Sequence, residues 1–423
     1  DPYFLYGGAL YESGDIKNAL KYYLLAEEHG YDDDIIMFRE IAECYGKLGD
    51  KYFLKQLEYA TKAINLDTEN AYSRYWKGWI YFRHNEFSHA LKYFLKSENM
   101  GYSDISLYYE ISYCYSMLDN LKKAVEYADK CIFTDKSDPL GYYRKAFAYF
   151  MKEEYGKAKR YYLSAEKRDC KEPDMYIRLG YIYQNEENFE KAVEYSDKTS
   201  KLDKKDPDAY ILKGNVYASL KKDYITALKY YKKAYKIDND MTEDFFANFS
   251  VLYSMLNRYS SAIKIIDEGL KKYPKSYNLL SIKIGAYQFK KEYDIAEKLT
   301  KKLIKLDPKN PWNNYYKALV YYNCKKRKKN YKKVINYIEK IEDSNIRVFG
   351  GSDGVLSFAY YEIKEFNKSL EIFYRFLDSE YCDEFIEKNI KEIKRYYKKL
   401  LKKFPNEIKL ANLAKKFPEL LDF

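Results

Sequence analysis

The chain has 423 residues, 47% of them hydrophobic and 33% charged, with 53 Tyr, 17 Gly and only 9 Pro. That is too apolar for a disordered chain and too polar to span a membrane, so it should fold in water. The net charge of +11 is unevenly placed, with 28 basic and 34 acidic side chains in residues 1 to 200 against 47 and 30 in residues 201 to 423. Such an asymmetry can steer acidic partners toward the C-terminal half, but lysines interspersed with Glu and Asp read more simply as a solvated surface. The first residue is Asp1 rather than Met. The chain therefore reads as a trimmed or processed piece that could have lost a signal or anchor, and the cytoplasm is the expected compartment.

Along the chain a 34-residue period takes over. Gly7, Ala19 and Ala26 anchor a first unit, and a second has Gln56 where an alanine is expected, with about two extra turn residues after Gly49-Asp50. Ala90, Ala124, Ala158 and Ala192 then follow at intervals of 34, Ala227 and Ala262 at 35, and Ala296 at 34. Nine residues before six of these seven ruler alanines stands a tyrosine: Tyr81, Tyr115, Tyr149, Tyr183, Tyr253 and Tyr287. Twelve before, the residue is usually small, as in Gly78, Ser112, Ala146 and Gly180. Small residues let two helix backbones approach and bulky ones fill the space around them, so each unit predicts two antiparallel helices joined by a short polar turn.

The tenth unit replaces the ruler with Val334 and carries about four extra turn residues in the basic stretch Lys325, Lys326, Arg327, Lys328 and Lys329. A solvated loop is the simpler reading of that stretch, and contact with a polyanion the sharper one. Residues 343–354 hold three glycines without helical periodicity and predict an irregular connection. An eleventh, degenerate unit with Ser369 as ruler is expected at 355–383, and capping helices at 384–423. Their clearest stretch, Lys388 to Phe404, has Ile390, Ile393, Tyr397, Leu400 and Leu401 on one face.

Segments such as Tyr142 to Asp169 and Tyr176 to Pro207, with Leu-Asp or aromatic-Pro stops such as Leu202-Asp203 and Tyr273-Pro274, resemble tetratricopeptide repeats. The resemblance covers about residues 3 to 380. It implies an all-α, right-handed superhelical solenoid of about eleven helix-turn-helix units with a C-terminal cap. It also implies a non-enzymatic scaffold or adaptor that binds a protein or peptide segment along the groove lined by the first helix of each unit.

Groove-facing positions are expected 18, 15, 11 and 8 residues before each ruler. Unit three offers Tyr72, Tyr75, Trp79 and Phe82, with Trp76 beside them. Unit four adds Tyr109 and Tyr113, unit five Tyr143 and Phe147, and unit six Tyr181. Polar members are Arg39, Glu40 and Glu43 in unit two, Glu110 in unit four, Arg144 in unit five and Arg178 in unit six. Aromatic walls supply apolar area and charges fix register, so the expected partner is an extended or helical segment with apolar and acidic residues. Family members that clamp a chaperone's terminal carboxylate use a Lys and Asn pattern from which this chain departs, since Arg39 stands with Glu43 and Trp79 follows.

The alternative is a non-protein polymer, single-stranded nucleic acid or a glycan, stacked on the aromatic faces with help from lysines. Nucleic-acid binding is expected to be no more than weak, non-specific and salt-sensitive. No phosphate loop, catalytic elbow or metal-binding helix is written in the chain, and Gly350 to Gly354 reads as a linker. Cys44, Cys114, Cys131, Cys170, Cys324 and Cys382 stand far apart and His84 and His89 five apart, so neither a metal site nor a cofactor is expected.

Overall fold

The computed structural model describes residues 1–32, 34–310, 312–323, 328–342, 351–377, 394–405 and 407. The described residues form helices and turns with no strand. They divide between two compact bodies, Asp1–Val216 and Tyr217–Phe423. The first holds α1 (Pro2–Glu12), α2 (Ile16–Glu28), α3 (Ile35–Lys47), α4 (Phe53–Leu66), α5 (Ala71–Arg83), α6 (Phe87–Asn99), α7 (Ile105–Met117), α8 (Leu121–Thr134), α9 (Pro139–Met151), α10 (Tyr155–Glu166), α11 (Pro173–Asn185) and α12 (Phe189–Leu202). After α13 (Pro207–Leu220), the second continues with α14 (Tyr224–Ile237), α15 (Glu243–Met255), α16 (Tyr259–Lys272), α17 (Tyr277–Phe289), α18 (Tyr293–Leu306), α19 (Trp312–Asn323), α20 (Lys328–Glu342), α21 (Gly351–Glu362) and α22 (Phe366–Leu377).

The period is fixed at the turn inside each unit. Five residues before the ruler the backbone takes positive φ, at Gly14, Asn85, Asp119, Glu153, Glu187, Lys222, Asn257 and Lys291. The next amide then reaches back to the carbonyl of the recurrent tyrosine, Glu86 to Tyr81 at 3.0 Å, Asn120 to Tyr115 at 2.8 Å and Asn188 to Tyr183 at 2.8 Å. This left-handed closure ends the first helix and aims the second back along it. Asn120, Asn188 and Asp223 then cap the second helix with their side chains. The recurrent tyrosines are half-buried packing residues, except the buried Tyr115, and three of them stack on a tyrosine three after the ruler: Tyr81–Tyr93 and Tyr149–Tyr161, each at 5.6 Å, and Tyr183–Tyr195 at 5.5 Å.

The deepest rings lie one residue further on. Tyr23, Phe94, Tyr162 and Tyr231, each four after its ruler, are 0–1% exposed. Two of them fill the space left by a glycine of the paired helix: a Cβ on Gly7 would sit 2.7 Å from the Tyr23 ring, and one on Gly78 2.7 Å from Phe94.

Contacts between successive units alternate in kind. Glu27 accepts from the Tyr59 hydroxyl at 2.7 Å and Lys62 at 2.5 Å, Glu98 from Tyr127 at 2.7 Å and Lys130 at 2.6 Å, and Glu166 from Tyr195 at 2.9 Å and Lys198 at 2.8 Å. These join units one to two, three to four and five to six. A lysine joins the intervening pairs: Lys77 donates to Thr61 at 2.6 Å, Lys145 to Asp129 at 2.6 Å and Lys213 to Asp197 at 2.7 Å.

Three details differ from the sequence expectation or refine it. The extra residues of unit two form a 3-10 turn, Asp50–Tyr52, entered through Gly49 at φ 114°. The expected connection at 343–354 is shorter at its C-terminal end, because α21 starts at Gly351, and helix N-termini accept Gly, Ser and Asp; residues 343–350 lie outside the described residues. Cys324, Lys325, Lys326 and Arg327 also lie outside them, as do Cys382 and the expected cap outside 394–405 and 407. Residues 394–403 are helical and dock on α21 and α22. There the Tyr396 hydroxyl meets Ser357 Oγ at 2.7 Å and the Ser369 hydroxyl, while Tyr397 and Leu400 are buried beside it.

Tyr162→Ala should cost about 4 kcal/mol in chemical denaturation, and Tyr149→Ala clearly less because its ring is half-buried. Glu153→Gly should raise stability by about 0.5–1 kcal/mol, since glycine relieves the left-handed backbone at that turn.

Candidate functional site

First helices of units two to six supply the candidate surface. Tyr72 is 41% exposed, and Arg39, Glu43, Tyr75, Trp79, Phe82, Tyr109, Tyr113, Arg144, Arg178 and Tyr181 are half-buried. Three other groove candidates are core residues by burial: Trp76, Tyr143 and Phe147 are 7%, 6% and 3% exposed. Trp76 packs with Tyr59, Ala60 and Ala63 of the preceding unit. Its place fourteen before the ruler, against the second helix of the unit before, puts it there. The same register position holds Glu110, Arg144 and Arg178 in the next three units, so one column runs from apolar to charged.

The rings meet across helices. Phe82 of α5 contacts Tyr113 of α7 at 5.4 Å between centroids, and Tyr113 stacks on Phe147 of α9 at 5.3 Å and 13°. Arginines overlie this line: Arg144 lies 4.7 Å from the Tyr113 ring, and Arg178 lies 4.8 Å from Phe147 and 5.9 Å from Phe150. Upstream, Arg39 overlies Tyr72 at 5.6 Å, and Tyr72 and Tyr75 pack around Tyr102. Arg83 overlies Trp79 at 5.0 Å.

Several candidates are already engaged within the chain. Glu43 accepts from the Tyr11 hydroxyl at 2.6 Å, and Tyr109 donates to Asp138, the N-cap of α9, at 2.5 Å. Arg178 pairs with Asp174 at 2.9 Å and Arg39 with Glu40 at 3.9 Å. Tyr181 hydrogen-bonds Asn215, and burial pushes its hydroxyl up to about 12. Arg144 differs, for its guanidinium has no carboxylate within 4.0 Å and its buried Nε has no acceptor.

Glu110, a polar groove member by its spacing, has an environment that the spacing did not show. Its Oε1 accepts from the Tyr75 hydroxyl at 3.3 Å, and its buried Oε2 has no partner. Burial pushes its carboxyl up to about 8; Asp104 adds to the rise, while the Tyr75 hydrogen bond and the charge of Arg144 oppose it. Burial thus favours the protonated form of this side chain inside the aromatic wall.

Among the described residues no cluster of His, Cys, Asp or Glu could hold a metal, and no helix is long and apolar enough to cross a membrane. The cysteines Cys44, Cys114, Cys131 and Cys170 are buried and unpaired, and burial raises the pKa of each thiol.

A carboxyl whose pKa rises on folding binds its proton more tightly in the native state, so its contribution to stability is lost as pH climbs from its ordinary value of 4.5 toward about 8. Trp76→Ala should cost about 3–5 kcal/mol as a core truncation. In thermal melts, Glu110→Gln should gain on the wild type through that pH window and run parallel to it below.

Comparison with curated protein sequences returns no match. The tetratricopeptide repeat model matches residues 105–136, 173–206 and 207–241. Among solved structures the chain is similar to that of the APC/C hetero-tetramer Cut9-Hcn1, at 18% identity and a TM-score of 0.49, over 71% of this chain and 58% of that one. It thus spans under two thirds of that chain's length. It is similar to yeast Tom70 at 15% identity and a TM-score of 0.44 over 98% of both chains. It is also similar to YrrB, described as a TPR protein with an unusual peptide-binding site, at 23% identity and a TM-score of 0.36 over 45% of this chain and 97% of that one. The matched segments are the fourth, sixth and seventh units of the 34-residue period, and these units are tetratricopeptide repeats.

Proposed function

We propose that the chain is a non-enzymatic scaffold that holds an extended or helical segment of another protein against the first helices of units two to six. The observation that carries this reading is the line Phe82, Tyr113 and Phe147 with Arg144 and Arg178 laid over it. Stacked rings give rigid apolar area at little entropic cost, and guanidinium groups on their faces offer directional charge to acidic residues. Tyr72, the most exposed of the groove candidates, extends the aromatic surface at its upstream end. The buried Trp76 and Tyr143 support the wall from behind, and Phe147, 3% exposed, is the inner end of the line and backs Tyr113.

A displayed library of random peptides selected on the full chain tests this. Peptides should be recovered, and Tyr113→Ala should weaken the best of them by about 2 kcal/mol while the fold persists by circular dichroism. Raising the salt from about 50 to about 200 mM should change that affinity less than about tenfold. Recovery of no peptide, together with single-stranded DNA bound in a steeply salt-dependent way, would favour the polymer reading instead.

A further inference from the structure

Of the three arginines read from the sequence as groove members, Arg39, Arg144 and Arg178, one has no carboxylate within 4.0 Å among the described residues. Arg178 and Arg39 each have a carboxylate at hand, and Arg144 has none. Beside it on the neighbouring helix, at the same register position, stands Glu110. These are opposite charges by type, with one buried unpaired atom each, Arg144 Nε and Glu110 Oε2, yet they do not pair. Burial favours the protonated, neutral form of Glu110, which offers the guanidinium no charge to pair with. Removing the proton gives Glu110 the negative charge that would make it the missing partner.

We propose that Arg144 anchors an acidic side chain of the bound segment, and that Glu110 beneath it is a gate: protonated, it leaves the guanidinium free for a ligand carboxylate, and ionised, it closes an internal ion pair that releases the ligand. This rests on the groove reading above and adds the chemistry of one subsite and its control.

The titratable groups coupled to Glu110 come from α5, the turn ahead of α7, α7 itself and α9. Tyr75 projects from α5, Tyr102 and Asp104 from the turn ahead of α7, Cys114 from α7 itself and Arg144 from α9. Arg144 is the one cation among them, and burial holds Tyr75, Tyr102 and Cys114 in their neutral forms at any pH where Glu110 titrates. Burial and the nearby Asp104 carboxylate favour the protonated form of Glu110 against the pull of Arg144, so the gate opens on the acid side of about 8. Above that value two consequences act together. Glu110 cancels the charge of Arg144, and its own charge repels an incoming carboxylate.

The test uses the full chain and peptides recovered from a displayed random library at about pH 6.5, with affinity read by fluorescence anisotropy. Asp or Glu should be enriched in the recovered sequences. Wild-type affinity for an acidic peptide should fall about tenfold or more between about pH 6.5 and about pH 9.5. Glu110→Gln, which keeps a neutral side chain of the same size, should bind across that range without the fall. Arg144→Met, which retains the apolar stem over Tyr113, should bind weakly at both ends, and Arg144→Lys should restore part of the affinity. Circular dichroism at each pH confirms that the variants are folded. Peptides recovered without acidic enrichment, or a Glu110→Gln profile that falls as the wild type does, would overturn the gate and leave the groove reading standing. Recovery of no peptide at all would overturn the groove reading and the gate with it.

Discussion

Everything in this structure depends on how closely the two helices of a unit can approach. At Gly7 and Gly78 the backbone of the first helix lies so near the second that even a methyl group would press into a ring, Tyr23 in one case and Phe94 in the other. The ruler alanines Ala19, Ala90, Ala124, Ala158 and Ala192 are fully buried on the other side of that contact. Small against large, repeated every 34 residues, sets the distance within a hairpin. The left-handed residue at its turn sets the angle. Once both are fixed, the outer rows of each hairpin have a constant offset from the next, and the contacts between units follow.

Those contacts show a second period hidden within the first. In the first body, Glu27, Glu98 and Glu166 each gather a tyrosine hydroxyl and a lysine from the following unit, and lysine bonds to Thr61, Asp129 and Asp197 fill the alternate joints. A carboxylate that accepts from both a hydroxyl and an ammonium is well satisfied, and its partners' orientations are restrained by two bonds. Since each unit contacts only its neighbours, the stiffness of the array is the sum of these joints. The joint at Thr61 is the exception, with a hydroxyl where its counterparts have a carboxylate, and the buried Lys77 there also lies 5.1 Å from the Tyr93 ring.

The candidate groove is an outcome of the same geometry. Residues fourteen before the ruler fall in one column because the hairpins stack with a constant offset, so Trp76, Glu110, Arg144 and Arg178 become neighbours in series although they are 34 residues apart in the chain. Within that column the environment, not the residue type, decides the chemistry. Arg178 has Asp174 one turn earlier on its own helix and is neutralised locally. Arg144 has Leu140 at the equivalent place and keeps its charge.

The sequence by itself determined the helical class, the 34-residue unit, the small and large packing positions and the extra turn of unit two, because each is a local spacing repeated many times over. It also placed the aromatic candidates on the first helices of their units. It did not distinguish Tyr72, which is exposed, from Trp76, which lies in the core, since both occupy the first helix within a turn of each other and only the preceding unit's second helix separates them. Nor did it show that Tyr162, rather than Tyr149, is the deepest ring of its unit, for that depends on a one-residue rotation of the second helix. Glu110 is the clearest case. In the sequence it is one polar member of the groove among several, and only the tertiary structure, by burying it beside Tyr75, Asp104 and Arg144, raises its carboxyl above the usual carboxylate range.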